Sequence, residues 1–420
     1  MTQVVLAGAT LVLPDRLLSP GTLVIDDGRI AEIRRDTFSG GHEASPFAFH
    51  GHYIVPGFVD VHVHGLEGVD SLDRADAVAT LAARLPRYGV TAFCPTTVAC
   101  APDALRGVLD QVRRARETPQ PRGARVLPAH LESNFINPEY CGAQPLACLR
   151  NPSAALAAVA DTGTAGEAGR AGGSAESFTG ADILREIERA APDVGIVTLA
   201  PELAGGVDLI RWLTGRGHRV SLGHSAATFD EAVDAIGAGA RHATHLFNRM
   251  PPLGHRAPGL AGAVLQSDEV AAEIICDGVH VHPAMVRAAI AAKRPSRVIA
   301  ITDATAAAGL PRGAEAMLGG QPIFAGESTA ILADGTVAGS IQTMDRTFQM
   351  LVGSIGLSIV DAATVCATTA ARELGLVGYG VLAPDAVADL VVLDGNLAVV
   401  QTYVGGQLVY SRNNPTFVSV

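Results

Sequence analysis

The sequence is almost without lysine: Lys293 is the only one among 420 residues. It lies in a polar segment, "AAKRPSR", so a centre whose two metals are bridged by a carboxylated lysine at a strand end is excluded. Basic runs are also missing, and the net charge is -11. That balance leaves no electrostatic footprint for nucleic acid or an anionic membrane surface, and any phosphate must be bound by a local site. No apolar run reaches the roughly 20 residues needed to cross a bilayer. The opening "MTQVVLAGATLVLPD" lacks a basic n-region and is broken by Gly, Pro and Asp, so it reads as strand and turn and not as a signal peptide. Six cysteines (Cys94, Cys100, Cys141, Cys148, Cys276, Cys366) show no CxxC spacing, which predicts reduced thiols and a cytoplasmic location.

What the chain does have is an α/β composition, with 48% hydrophobic and 17% charged residues and enough length for a barrel plus an accessory domain. Short β-branched runs separated by turns fill residues 1–56 and return at 388–410, in "ADLVVLDGNLAVVQTYVGGQLVY". Two β-rich ends around a different middle predict one discontinuous β-sandwich domain, 1–56 with 380–420, flanking a catalytic domain over 57–379. The middle alternates short apolar strands with Ala-rich helical stretches. Eight strand candidates, 58–64, 90–95, 125–132, 195–200, 219–224, 242–246, 271–277 and 297–303, predict a (β/α)8 TIM-like barrel, with an open doubly wound sheet as the alternative. The Gly-rich stretch 161–180 reads as a surface insertion.

Chemistry in such a barrel sits at the carboxyl ends of the strands. His62 and His64, two apart, put both rings on one strand face. Glu132 closes an apolar run, where a carboxylate is costly unless paired or bound to a metal. His224 ends the fifth strand, His245 follows in the sixth, and Asp303 ends the eighth after "VIAI". Any one of these could be a cap, a core histidine or a structural ion pair. Six of them on five strands, all at one end, point to Zn²⁺ or a related divalent ion with an open coordination position. The chemistry that follows is metal-assisted hydrolysis: Glu132, His224 and His245 hold one ion, His62 and His64 could hold a second, and Asp303 shuttles the proton.

In order, "PGFVDVHVHG", "HLE", "VTLAPE", "LGHSAAT", "ATHLFN" with "MPP", "RAPGL", "DGVHV", "TDAT" and "GS" with "TMD" resemble the N-acetylglucosamine-6-phosphate deacetylase family of the amidohydrolase superfamily, over nearly the whole chain. The resemblance implies removal of an acetyl group from an amino-sugar 6-phosphate, with Glu132, His224 and His245 as ligands of the principal metal and Asp303 as general base and acid. It implies that His280 polarises the amide oxygen. It places the phosphate near Asn248, with Arg256 reaching it, from a neighbouring subunit if the chain is a homodimer. One or two metals per subunit are compatible with the pattern.

Several positions depart from it. Ser133 and Asn134 replace the usual Gly-Pro after the glutamate, and Gln144 stands twelve residues beyond Glu132, where the family carries a sugar-contacting histidine. Arg249 replaces a small residue beside the phosphate site. Ile341 and Gln342 occupy a loop near the acyl group, and 161–180 is an added segment. Together they predict a retained reaction with a shifted sugar or acyl specificity, N-acetylgalactosamine 6-phosphate being one candidate. Another amidohydrolase reaction and a non-catalytic barrel scaffold are the competing expectations.

Overall fold

The computed structural model describes residues 3–35, 48–73, 76–161 and 178–413. Eight parallel strands follow one another in space in chain order: Phe58–Val63, Val90–Thr97, Ala129–Glu132, Val194–Leu199, Arg219–Leu222, His242–Ala243, Ala271–Ile275 and Val298–Ile301. The eighth returns to the first through a parallel bridge between Val63 and Ala304 and an Asp303 N–H that donates to the His62 carbonyl at 2.9 Å. The predicted barrel is present, and the open sheet is not. Most of the expected strands are shorter than the apolar pattern; the fifth and eighth end at Leu222 and Ile301, so His224 and Asp303 lie beyond them. The third is split after Val126, where Pro128 lacks a donor for the ladder. The sixth ends at Ala243, so His245 lies beyond it.

Alternation sets what faces inward. Ala271 and Ile275 join Ile299 and Ile301 in the barrel interior, whereas Ala272, Ile274, Val298 and Ala300 pack outward on the helices. Glu273 shares the inward face with Ala271 and Ile275, and it is fully buried. The outer helices are amphipathic. Pro102–Glu117 starts on a proline, pre-set for the first turn, and buries Leu105, Val108, Leu109 and Val112 at helical spacing. Phe229–Gly237, after the fifth strand, is closed by a capping box in which Thr228 and Glu231 bond reciprocally.

Strands from both ends of the chain form one seven-stranded mixed sheet. The Arg29–Arg34 edge also bonds to 385–388, the segment leading into Leu390–Leu393, so the sheet folds back around its own apolar core of Leu6, Leu23, Ile54 and Leu390. A second sheet was not expected from the sequence. Glu315–Leu318, Gln321–Ala325, Thr329–Leu332 and Val337–Ser340 make four antiparallel strands, and Ser340 bridges to Ala304 beside the eighth barrel strand. Most of the 161–180 stretch lies outside the described residues; its last residue begins the helix Gly180–Arg189. Among the described residues no helix is long and apolar enough to cross a membrane.

Candidate metal centre and active site

At the carboxyl ends of the strands, Nε2 of His224 and Nε2 of His245 stand 2.8 and 2.9 Å from Oε1 of Glu132, and 3.0 Å from each other. The three atoms converge as a ligand set would, a few tenths of an ångström tighter than the roughly 3.4 Å between ligands held 2.0–2.1 Å from a tetrahedral ion. The orientation of His224 is fixed from behind: its Nδ1 donates to the Tyr140 carbonyl at 2.8 Å, leaving the Nε2 lone pair for the centre. All three side chains are buried.

His62 and His64 adjoin this group. Nε2 of each lies 3.3 Å from Oδ1 of Asp303, and the two nitrogens are 3.2 Å apart. His62 is braced by Glu273, whose Oε2 accepts from Nδ1 at 2.9 Å, the carboxylate–imidazole pairing typical behind a metal-bound histidine. Glu273 also faces His242 at 3.0 Å. His130 lies alongside but is satisfied on both nitrogens, by the Val61 carbonyl and the Thr198 hydroxyl. Burial pushes His130 down to about 3, so it is a neutral core residue. For His62, burial opposes the charge, yet Asp303, Glu273 and Glu132 outweigh it and raise the pKa to about 9. Glu132, despite the same burial, is held well below the carboxylate range by His224 and its neighbours. Buried histidines and carboxylates packed this densely fit a divalent cation.

Three of the site residues leave their strands with left-handed backbone: His224 at φ 47°, His245 at φ 30° and Asp303 at φ 48°. Non-glycine residues rarely adopt this region, and such strain collects where the fold must aim a side chain. Gly339 supports the last of them. Its φ is +102°, and a Cβ there would lie 2.8 Å from the Thr305 methyl and 3.1 Å from the Asp303 carbonyl oxygen. The unexpected four-stranded sheet therefore delivers the glycine that lets the Asp303 turn close.

The pocket above these groups has a volume of about 540 Å³, within the usual range for a small-ligand site. His64, Glu132, His224, His245, Asp303 and His280 line it, joined by Gln144, Asn248 and Arg249. His280 Nδ1 is bonded to Asp277 Oδ2 at 2.5 Å, and its Nε2 has no partner among the described residues. Burial disfavours the imidazolium, but the Asp277 bond prevails and raises its pKa, so His280 is set up as a donor. His62 lies fully buried behind His64 and does not line the pocket.

Not every residue singled out in the sequence lines this pocket. Arg256 is exposed and absent from the pocket of its own chain. Ile341 packs against the apolar cores beneath, and Ala338 and Gly339 form the wall in its place. Ser133 and Asn134 brace the loop and do not face a substrate. The Ser133 hydroxyl donates to the Thr198 carbonyl at 2.6 Å, and the Asn134 amide donates to the Cys100 and Cys148 carbonyls at 2.8 and 2.7 Å. Lys293 is buried on the outer helix layer, donating to the Val264 carbonyl at 2.8 Å and to that of Ser267. Glu202, the last residue of "VTLAPE", ties Asn137, Ser225 and the Ala226 N–H together beside His224.

Residues 53–409 match the amidohydrolase family. N-acetylglucosamine-6-phosphate deacetylase of Homo sapiens is 37% identical over 95% of this chain and 90% of its own. N-acetylgalactosamine-6-phosphate deacetylase of Escherichia coli O157:H7 is 32% identical over 96% of this chain and 98% of its own. Among solved structures, a mutant N-acetyl-D-glucosamine-6-phosphate deacetylase of Mycobacterium smegmatis, in complex with N-acetyl-D-glucosamine-6-phosphate, superimposes with a TM-score of 0.84 at 30% identity, covering 98% of this chain and 100% of that one. The chain belongs to the N-acetylglucosamine-6-phosphate deacetylase family of the amidohydrolase superfamily.

Proposed function

We propose that this protein removes the N-acetyl group from an amino-sugar 6-phosphate, N-acetylglucosamine 6-phosphate or a close relative, releasing acetate and the free amine. The observation that carries the reading is the convergence of Glu132, His224 and His245 beside Asp303 and His280 in one pocket. A divalent ion, in our reading zinc, would be held by Glu132, His224 and His245, and it supplies Lewis acidity and a water of lowered pKa.

The chain's own groups do the rest. Asp303 is held below the ordinary carboxylate range: burial opposes ionisation, and His62 and His64 overcome it. It is therefore an ionised acceptor for the proton of the attacking water. His280 donates from Nε2 to the amide oxygen as negative charge grows there, a contribution of about 2.7–4 kcal/mol at comparable donors. Asp303 then returns the proton to the departing nitrogen. Asn248 and Arg249 line the pocket and would take the phosphate, and a guanidinium fork suits its oxygens. With Arg249 in the pocket, a cation for the phosphate comes from the same chain. Arg256 would contribute only across a homodimer contact.

A second reading, N-acetylgalactosamine 6-phosphate, is favoured by the family member named for that sugar. Acetate release from a panel of N-acyl amino sugars, with and without the 6-phosphate, tests both. A strong preference for one phosphorylated N-acetyl hexosamine is expected. Equal rates with and without phosphate would overturn the proposal.

A further inference from the structure

Gln144 holds its amide where the surroundings fix the direction of each hydrogen bond. Its Oε1 accepts from the Ala99 N–H at 2.7 Å. A backbone N–H only donates, so the amide nitrogen must face the other way. There Nε2 donates to Oε2 of Glu132, and the whole contact is buried. The loop carrying Gln144 is anchored independently of Glu132: the Gln144 N–H donates to the Cys141 carbonyl at 3.1 Å, and Gln321 Nε2 donates to the Ala143 carbonyl at 3.0 Å.

The two oxygens of Glu132 therefore have different duties. Oε1 faces His224 and His245 at 2.8 and 2.9 Å. Oε2 faces the Gln144 amide, with His64 Nε2 at 3.5 Å. On the His62 and His64 side, Oε2 lies 3.5 Å from His64 Nε2 and Oε1 3.8 Å from His62 Nε2, so a carboxylate giving one oxygen to each of two ions would offer Oε2 there. Here that oxygen already accepts from a donor fixed by the backbone, and an ion beside it would meet the positive end of the amide. The remaining carboxylate near both His62 and His64 at the mouth is Asp303, at 3.3 Å. A second ion would thus draw on the group needed for proton transfer.

We infer that Gln144 is a positioning residue for Glu132: it commits the carboxylate to the ion at His224 and His245 and weakens binding of a second divalent ion at His62 and His64. The inference rests on the metal-dependent reading above and adds which of the two positions is filled and why Asp303 stays free.

The test is zinc content by mass spectrometry after dialysis, followed by zinc titration, for wild type, Gln144→Ala and the similarly sized Gln144→Met, which keeps the packing and lacks the donor. The wild type should retain one zinc per chain. In both variants the second zinc should bind about tenfold tighter, a usual size for a change behind metal ligands. The double variant Gln144→Met/His62→Ala should lose that gain. Two zinc ions of similar affinity in wild type, or an unchanged second affinity in both variants, would overturn the inference. Zinc binding is read without substrate. A protein that binds zinc as expected but releases no acetate would sink the substrate proposal and leave this one standing.

Discussion

Asp303 and His62 meet twice across the seam that closes the barrel: the Asp303 N–H donates to the His62 carbonyl at 2.9 Å, and Oδ1 lies 3.3 Å from His62 Nε2. The backbone bond sets where the carboxylate stands, and the side-chain contact keeps it ionised. Asp303→Asn preserves the shape and removes the proposed proton acceptor. Acetate release should fall by about 10²–10⁴-fold, with zinc content unchanged by elemental analysis. A rate within a few-fold of wild type would assign the proton to another group.

The glycine under that turn gives an independent test. Gly339→Ala places a methyl against the Thr305 side chain and the Asp303 carbonyl at a φ that L-residues avoid. The strain, of order 1–3 kcal/mol, should lower the urea midpoint and reduce kcat more than it raises KM. Unaltered kcat would mean that the four-stranded sheet does not position the base.

His280 carries the pH prediction. Its folded pKa is raised through Asp277, so the pairing stabilises the fold fully below the ordinary histidine value and is lost as pH rises through the raised one. Activity that needs the His280 donor should fall on the same alkaline side. Asp277→Asn removes the largest raising cause and should move the alkaline limb of kcat/KM to lower pH. An alkaline limb that stays in place would show that His280 is not the group being read.

Arg249 separates phosphate recognition from chemistry. Replacing it with alanine should raise KM for the phosphorylated substrate by about 10–100-fold, the worth of a charge-assisted contact, with kcat little changed. The unphosphorylated sugar should respond much less. Equal losses on both substrates would make Arg249 a structural residue.

Much of the centre was legible because its residues break the apolar strands at their ends: Glu132, His224 and Asp303 each close a run that burial would otherwise keep hydrophobic. Glu273, the brace behind His62, gives the same signal in mid-strand, a lone carboxylate within "VAAEIIC". The four-stranded sheet was missed, although "LGGQP" and "ADGT" are hairpin turns between alternating segments. His224, His245 and Asp303 each lie two residues beyond the end of their strand, because periodicity does not register a left-handed turn. The resemblance puts Ile341 near the acyl group and Ser133 and Asn134 in the sugar-facing loop, yet whether a side chain points into a pocket depends on neighbours far away in sequence, here Thr198, Cys100 and the inserted sheet.

The most direct test of the account is acetate release from N-acetylglucosamine 6-phosphate and N-acetylgalactosamine 6-phosphate by chelator-treated protein, before and after stoichiometric zinc. The account predicts no release without zinc, recovery that saturates near one zinc per chain, and none at any zinc concentration in Glu132→Ala. Full activity in zinc-free protein, or recovery in Glu132→Ala, would contradict it.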